Sequence, residues 1–220
     1  LAYLSKKAKK MMADAGFPDA KVCASGDLDE NLVNSLKQQG AEISIWGIGT
    51  KLITSEDMPA LGGVYKLSGV VDENGNVIPK IKISDNSAKI TNPGFKNIYR
   101  VYDNSTGKAE ADFIFLREEG DYDESKPLTL THQYDRWKSI TFNNYTLRKL
   151  QEDIIINGKV VYNFPTLKEI KDYAKRELDT FWEEYKRLVS PHIYKVDLSD
   201  KLYELKTKMI DDARKPEKQR

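Results

Sequence analysis

A chain of 220 residues is long enough to bury a substantial core, and its single cysteine, Cys23, excludes an internal disulfide framework. Its 35 Lys and Arg against 34 Asp and Glu leave a formal net charge of +1, so no global field draws in nucleic acid or an anionic membrane. Charges interleave in sign and no apolar run reaches membrane-spanning length, which sets the expectation of a cytoplasmic protein with neither a nucleic-acid nor a membrane partner.

The first element is an amphipathic helix. Leu4, Ala8, Met11, Met12 and Ala15 recur at helical spacing opposite Lys6, Lys7, Lys9 and Lys10, and Gly16-Phe17-Pro18 ends the run. It feeds directly into a strand, as a barrel helix does, and is not read as a membrane anchor. The strand, Lys21 to Ala24, turns at Ser25-Gly26, where glycine lets a ligand approach the backbone. Asp27 is expected to cap the next helix, with Glu30 completing an Asp-x-x-Glu box; Leu28, Leu32, Val33 and Leu36 form its inner face and Gly40 its left-handed end. A second strand, Ile43 to Trp46, runs into Gly47-Ile48-Gly49-Thr50. This is a βαβ unit whose strand ends face the same way, where free N–H groups attract anions.

After Met58 to Gly63 the period changes to two. Strands at Val64 to Val71 and Val77 to Ile83 flank the Asp72 to Asn76 turn, and further strands at Lys96 to Tyr102 and Ala111 to Leu116 extend the pattern to an antiparallel meander. Gly120 to Lys126 reads as a loop, Leu128 to Thr131 as a strand, and Asn157-Gly158 as the turn of a small hairpin. Thr166 and Glu169 open the longest helix, which carries Leu167, Ile170, Ala174, Leu178, Phe181, Tyr185 and Leu188 as far as Pro191. Leu198, Leu202, Leu205, Met209 and Ala213 mark a final helix with a frayed tail after Lys215. The expected fold class is α/β plus α+β, divided at 1–63, 64–163 and 164–220. Cys23, Trp46, Trp137 and Trp182 are expected in the core, His132 and His192 in structural or surface roles, and no Cys/His spacing suggests zinc.

Several stretches together resemble one family. Ser25 to Glu30, Gly47 to Thr54, Pro59-Ala-Leu-Gly-Gly-Val-Tyr-Lys-Leu67, Lys80-Ile-Lys-Ile-Ser84, Lys89-Ile-Thr-Asn-Pro-Gly94, Pro165-Thr-Leu167 and Val196-Asp-Leu-Ser199 are similar, in order and spacing, to nicotinate phosphoribosyltransferases of the bacterial type. The resemblance implies part of an irregular type II phosphoribosyltransferase α/β barrel, followed by the antiparallel meander and the C-terminal helices. It implies transfer of a phosphoribosyl group from phosphoribosyl pyrophosphate to nicotinic acid, coupled to ATP hydrolysis, with Mg²⁺ on the pyrophosphate and a homodimeric enzyme. It places Gly26 and Asp27 beside the ribose and phosphate, and Gly47, Gly49 and Thr50 around the 5′-phosphate. The residues suit these roles: the glycines clear the approach, Thr50 offers a hydroxyl, and Asp27 can accept from ribose hydroxyls or help hold Mg²⁺. Lys51 can neutralise phosphate or stand in an ion pair.

Family members carry a phosphorylated histidine and an Arg-x-Asp-Ser-Gly-Asp segment ahead of the position of Leu1. The expectation is therefore the C-terminal portion of the enzyme, inactive alone, with the N-terminal half as its first partner. A non-catalytic nucleotide-binding or subunit-assembly module, and a nicotinamide- or quinolinate-using relative, are the alternatives.

Overall fold

The computed structural model describes residues 1–86 and 89–214, so the frayed tail expected after Lys215 lies outside the described residues. The chain forms two units, Leu1–Val64 and Tyr65–Arg220. No second division falls at 163/164, because a strand beyond that point sits inside the sheet of the second unit.

The first unit runs α1 (Ala2–Asp14), β1 (Cys23–Ser25), α2 (Glu30–Gln38), β2 (Ile45–Gly47) and α3 (Thr50–Ile53). Strands β1 and β2 pair in parallel, with Cys23 opposite Ile45, Ala24 opposite Trp46 and Ser25 opposite Gly47. Both long helices end in a doubly bonded turn around a left-handed glycine. Phe17 N–H bonds Met12 O at 2.8 Å and Gly16 N–H bonds Ala13 O at 3.0 Å; Ala41 and Gly40 repeat the pattern on Leu36 and Lys37 at 3.0 and 2.9 Å. The unit's core gathers Ala2, Leu28 and Leu36, with Val33, Ala41, Trp46 and Ile48 against them.

Helix α1 is turned differently from the expectation. Its buried residues are Ala2 and Ser5, while Leu4 and Met11 are 60% and 62% exposed. Polar anchors set this rotation: Ser5 Oγ accepts the Glu42 N–H at 3.0 Å, Lys6 Nζ donates to Gln39 O at 2.7 Å, and Lys9 Nζ donates to Pro18 O and Ala20 O, each at 2.7 Å. Cys23 is likewise exposed, because the two-residue alternation of β1 turns Ala24 inward and its neighbours out.

In the second unit β3 (Gly69–Val71) and β4 (Val77–Pro79) make a hairpin with its own two-stranded sheet. The expected single meander is thereby broken. The main sheet contains β5 (Lys96–Asp103), β6 (Ala109–Leu116), β7 (Leu128–Thr131), β8 (Ser139–Phe142), β9 (Tyr145–Lys149) and β12 (Lys195–Leu198), in the order β8-β7-β12-β6-β5-β9. A small hairpin of β10 (Ile155–Ile156) and β11 (Lys159–Val160) turns at Asn157-Gly158. Strand β12 is parallel to β6 and antiparallel to β7.

The outer strands β8 and β9 are joined by Asn143-Asn144 alone, so the two edges of the sheet lie within roughly 11 Å there, the reach of three Cα steps. The sheet must curl. On its inner face Val101, Ala111, Phe113, Phe115, Leu128, Leu130, Phe142 and Tyr145 form one core, with Tyr122 set edge-on to Phe113 and Phe115 at 4.8 Å. The outer face of β6 and β12 is closed by α6 (Asp200–Arg214), where Leu116 and Leu198 pack on Leu202. Ser199 caps this helix, accepting the Leu202 N–H at 3.1 Å while donating to Glu119 at 2.7 Å.

Helix α4 (Leu167–Thr180) opens on the expected Thr166/Glu169 box but ends eleven residues before Pro191. Phe181 is extended, and α5 (Glu183–Lys186) is a separate turn. The break releases two aromatic side chains: Phe181 stacks under the Arg100 guanidinium at 4.9 Å, and Trp182 donates to Glu110 at 2.9 Å. Lys108 Nζ meets the Asp179 carbonyl at 2.8 Å, satisfying the helix end. Trp137, expected in the core, is 81% exposed in the turn between β7 and β8.

Charge holds α4 in place. Arg100 grips Asp112 through two bonds at 2.7 and 3.0 Å and lies 3.5 Å from Glu177; Arg148 grips Glu177 with both guanidinium nitrogens. The Arg148 hydrogen bonds hold the Glu177 carboxyl below the usual range. Stability from that ionised group is full above the ordinary glutamate value and is lost as the pH falls through the lowered one. Glu177→Gln is therefore expected to destabilise the protein by about 1–3 kcal/mol at pH 7 and to flatten the acid side of its stability profile; urea midpoints between pH 3 and 7 measure both.

Candidate functional site

The pairing of β1 with β2 ends on Ser25 opposite Gly47, so the loops that follow leave side by side. They enclose an open hollow of about 410 Å³ lined by Ser25 to Leu28 and by Gly47 to Lys51. The structure therefore brings Gly26, Asp27, Gly47, Gly49, Thr50 and Lys51 to one place.

Two glycines are required locally. A Cβ on Gly47 would stand 3.0 Å from the Ser25 Cβ, and Gly26 has φ +137°, a region closed to L side chains. The rest of the first loop is pinned by Leu28, which is buried and whose N–H bonds Gly26 O at 2.7 Å. Asp27, between them, is exposed to the hollow and does not cap α2.

The cap is Asp29. Its backbone is extended, and its Oδ1 accepts the Leu32 N–H at 2.7 Å. The shift from Asp27 has a packing cause: Leu28 must enter the core before the helix can begin, so the first turn starts at Glu30. Leu32, expected inside, is consequently exposed, and Val33 and Leu36 carry the contact.

Lys51 is engaged in an ion pair. Its Nζ lies 3.1 Å from Asp29 Oδ2 and 3.6 Å from Glu56 Oε2. The hydrogen bond to Asp29 raises the Lys51 pKa, while the Leu32 N–H and then Lys51 lower that of Asp29. Both carboxylates line a neighbouring hollow of about 280 Å³ with Glu30 and Asp57, so the Lys51 ammonium is held on that side. Sequence reading missed Asp29. Its signal was present in Asp27-Leu28-Asp29, either aspartate of which suits an N-cap.

His132 accepts the Asp135 N–H on Nδ1 at 2.9 Å, and His192 is exposed beside the Tyr185 ring; both belong to the second unit. Among the described residues no group of three or more His, Cys, Asp or Glu could hold a metal ion. Asp27 is the carboxylate that lines the larger hollow, so a Mg²⁺ there would take most of its oxygens from a phosphate ligand and water. Among the described residues no helix is long and apolar enough to cross a membrane.

A βαβ unit with glycine loops at its strand ends, and a second unit built on a curled mixed sheet, define a mixed α/β protein. The family model described as the nicotinate phosphoribosyltransferase C-terminal domain matches residues 95–206, and the chain belongs to that family. It is 44% identical to the nicotinate phosphoribosyltransferase of Bacillus subtilis over 214 residues, covering 97% of this chain and 43% of that protein. The Caenorhabditis elegans protein of the same name is 32% identical over 213 residues, covering 93% and 37%. The crystal structure of human nicotinic acid phosphoribosyltransferase superposes with a TM-score of 0.66 at 23% identity, over 94% of this chain and 38% of the human one, which shows a shared fold. The chain thus spans less than half the length of these relatives. The two glycine loops precede residue 95 and lie in the part matched by the curated relatives but not by the family model.

Gly47→Ala is expected to destabilise the protein by about 1–3 kcal/mol through the clash with Ser25, and Ser25→Gly in the same chain to recover most of the loss. Gly26→Ala, strained by its backbone, is expected to cost a similar amount that Ser25→Gly does not restore. Thermal melts of the four variants decide between these outcomes.

Proposed function

We propose that this chain supplies the phosphoribosyl-binding wall of a nicotinate phosphoribosyltransferase, an enzyme that joins nicotinic acid to phosphoribosyl pyrophosphate and releases nicotinate mononucleotide and pyrophosphate. The observation that carries the reading is the single hollow shared by the loops after β1 and β2, with bare backbone at Gly26, Gly47 and Gly49 and hydroxyls at Ser25 and Thr50. Main-chain N–H groups and the Thr50 hydroxyl suit the oxygens of a phosphate monoester. Asp27 suits the ribose hydroxyls, and its carboxylate is suited to one position on a Mg²⁺ held by the pyrophosphate. Such an ion, when bound, would supply charge neutralisation for the leaving group.

The barrel reading is supported by what the parallel pair leaves open. Parallel strands are normally covered on both faces, yet Cys23 and Ile45, opposite each other on β1 and β2, are both exposed. Leu4 and Met11 on α1, with Leu52 and Ile53 on α3, are exposed as well. We assign these surfaces to contacts with the remainder of an irregular α/β barrel, and ATP coupling to a histidine in the portion of the relatives that this chain does not span. A homodimer and a cytoplasmic setting complete the proposal by family likeness.

Calorimetric titration of the 220-residue chain with ribose 5-phosphate and with nicotinate mononucleotide is expected to show saturable binding, weakened about fivefold by Thr50→Val, the worth of roughly one hydrogen bond. ATP-dependent formation of nicotinate mononucleotide by the chain alone is expected to be undetectable. Failure to bind either ligand overturns the phosphate reading, and turnover overturns the division of catalytic groups.

A further inference from the structure

Asp29 stands outside the larger hollow but touches both of its walls. Its Oδ1 accepts the Leu32 N–H at 2.7 Å and so caps α2, the helix that leaves the first glycine loop. Its Oδ2 accepts from the Lys51 ammonium at 3.1 Å, and Lys51 lies on α3, the helix that leaves the second. The two side chains are 28% and 34% exposed, a partly buried pair. Glu56, 3.6 Å from the same ammonium, follows on the same segment, its N–H bonded to Lys51 O at 3.2 Å, so it steadies Lys51 without reaching α2.

We infer that Asp29 is the positioning residue of this site: its carboxylate ties the loop after β1 to the loop after β2 and fixes the gap between them. The strand ladder stops at Ser25 and Gly47. Past that rung, Ile48 packs on the cluster containing Leu28 and Leu36, and Asp29 meets Lys51. The apolar contact is non-directional and tolerates sliding; the charge-assisted bond has a direction and a length. A ligand held by amides from both loops needs their spacing fixed, and this bond is placed to fix it. What the spacing serves rests on the phosphate reading above, whereas the bridge itself does not.

Asn caps a helix as well as Asp does, so Asp29→Asn keeps the bond to Leu32 and removes the charge that holds Lys51. In hydrogen exchange on the 220-residue chain, the Ile53 and Thr54 amides, bonded to Gly49 O and Thr50 O at 3.0 Å each, report on the second loop. The Ala41 amide, bonded to Leu36 O at 3.0 Å, reports on α2. The expected result for D29N and for K51M is two- to fivefold faster exchange at Ile53 and Thr54, the range for a partly exposed ion pair, with Ala41 unchanged. K51R is expected to match the unaltered chain, and D29N with K51M to exchange no faster than either alone. Ribose 5-phosphate affinity is expected to fall by the same factor in D29N and to be kept in K51R. Unchanged exchange at Ile53 and Thr54 in D29N overturns the inference. So does tighter ribose 5-phosphate binding by D29N, which would make Asp29 a competitor for Lys51. Should the unaltered chain bind no ribose 5-phosphate while exchange responds as expected, the phosphate reading falls and the bridge stands.

Discussion

The parallel rung between Ser25 and Gly47 is the constraint on which the site depends. Parallel strands cannot be joined by a tight turn, so the chain must cross over, and here α2 provides the crossing. That topology sends both following loops out of the same edge. The absence of a side chain at Gly47 lets the two strand ends close to van der Waals distance of Ser25, and the positive φ of Gly26 turns the first loop away before Leu28 plugs it into the core. The hollow is the space left between two backbones that pairing holds adjacent and packing then pulls apart.

A different logic builds the second unit. Its sheet receives a late strand, β12, between β6 and β7, which makes the last part of the chain integral to the sheet. One face of β6 is apolar and interior, with Ala111, Phe113 and Phe115. On the other, Glu110 and Asp112 engage Trp182, Arg100 and Tyr194, while Ile114 and Leu116 meet α6. Strict alternation along one strand thus sorts the unit into an aromatic core, an ionic attachment for α4 and an apolar attachment for α6.

What could be read from sequence follows the range of the cause. The βαβ unit, the hairpin turns at Asn74-Gly75 and Asn157-Gly158, the Thr166/Glu169 box and the glycine helix ends are local, and residues within a few positions specify them. The failures have distant causes. Helix α1 is rotated by bonds to Gln39 and Glu42, α4 is broken by aromatic docking on Arg100 and Glu110, and β12 is a strand because β6 and β7 offer it edges. Strands β8 and β9 carry little periodicity, since Ser139, Thr141 and Thr146 alternate with apolar residues over only four or five positions. The glycine loops were legible because glycines at strand ends announce themselves, and the structure gathers them around one hollow. Asp29 was not, because the choice between two aspartates is made by where Leu28 packs.

The two units also differ in how far each can stand alone. Eight buried residues form the interior of the curled sheet, and its edges approach through the Asn143-Asn144 link, so that unit encloses its own core. In the first unit the buried cluster contains Ala2, Leu28 and Leu36, beneath a parallel sheet of two strands whose Cys23–Ile45 face is exposed. A two-stranded sheet is marginal without further cover. The polar anchors of α1 and the ion pair of Asp29 with Lys51 are therefore proportionately more important there, since each fixes an orientation that so small an apolar cluster cannot. A domain with so small an interior keeps its elements oriented by directional bonds: those of α1 reach Pro18, Ala20, Gln39 and Glu42, and the one between Asp29 and Lys51 lies beside the hollow.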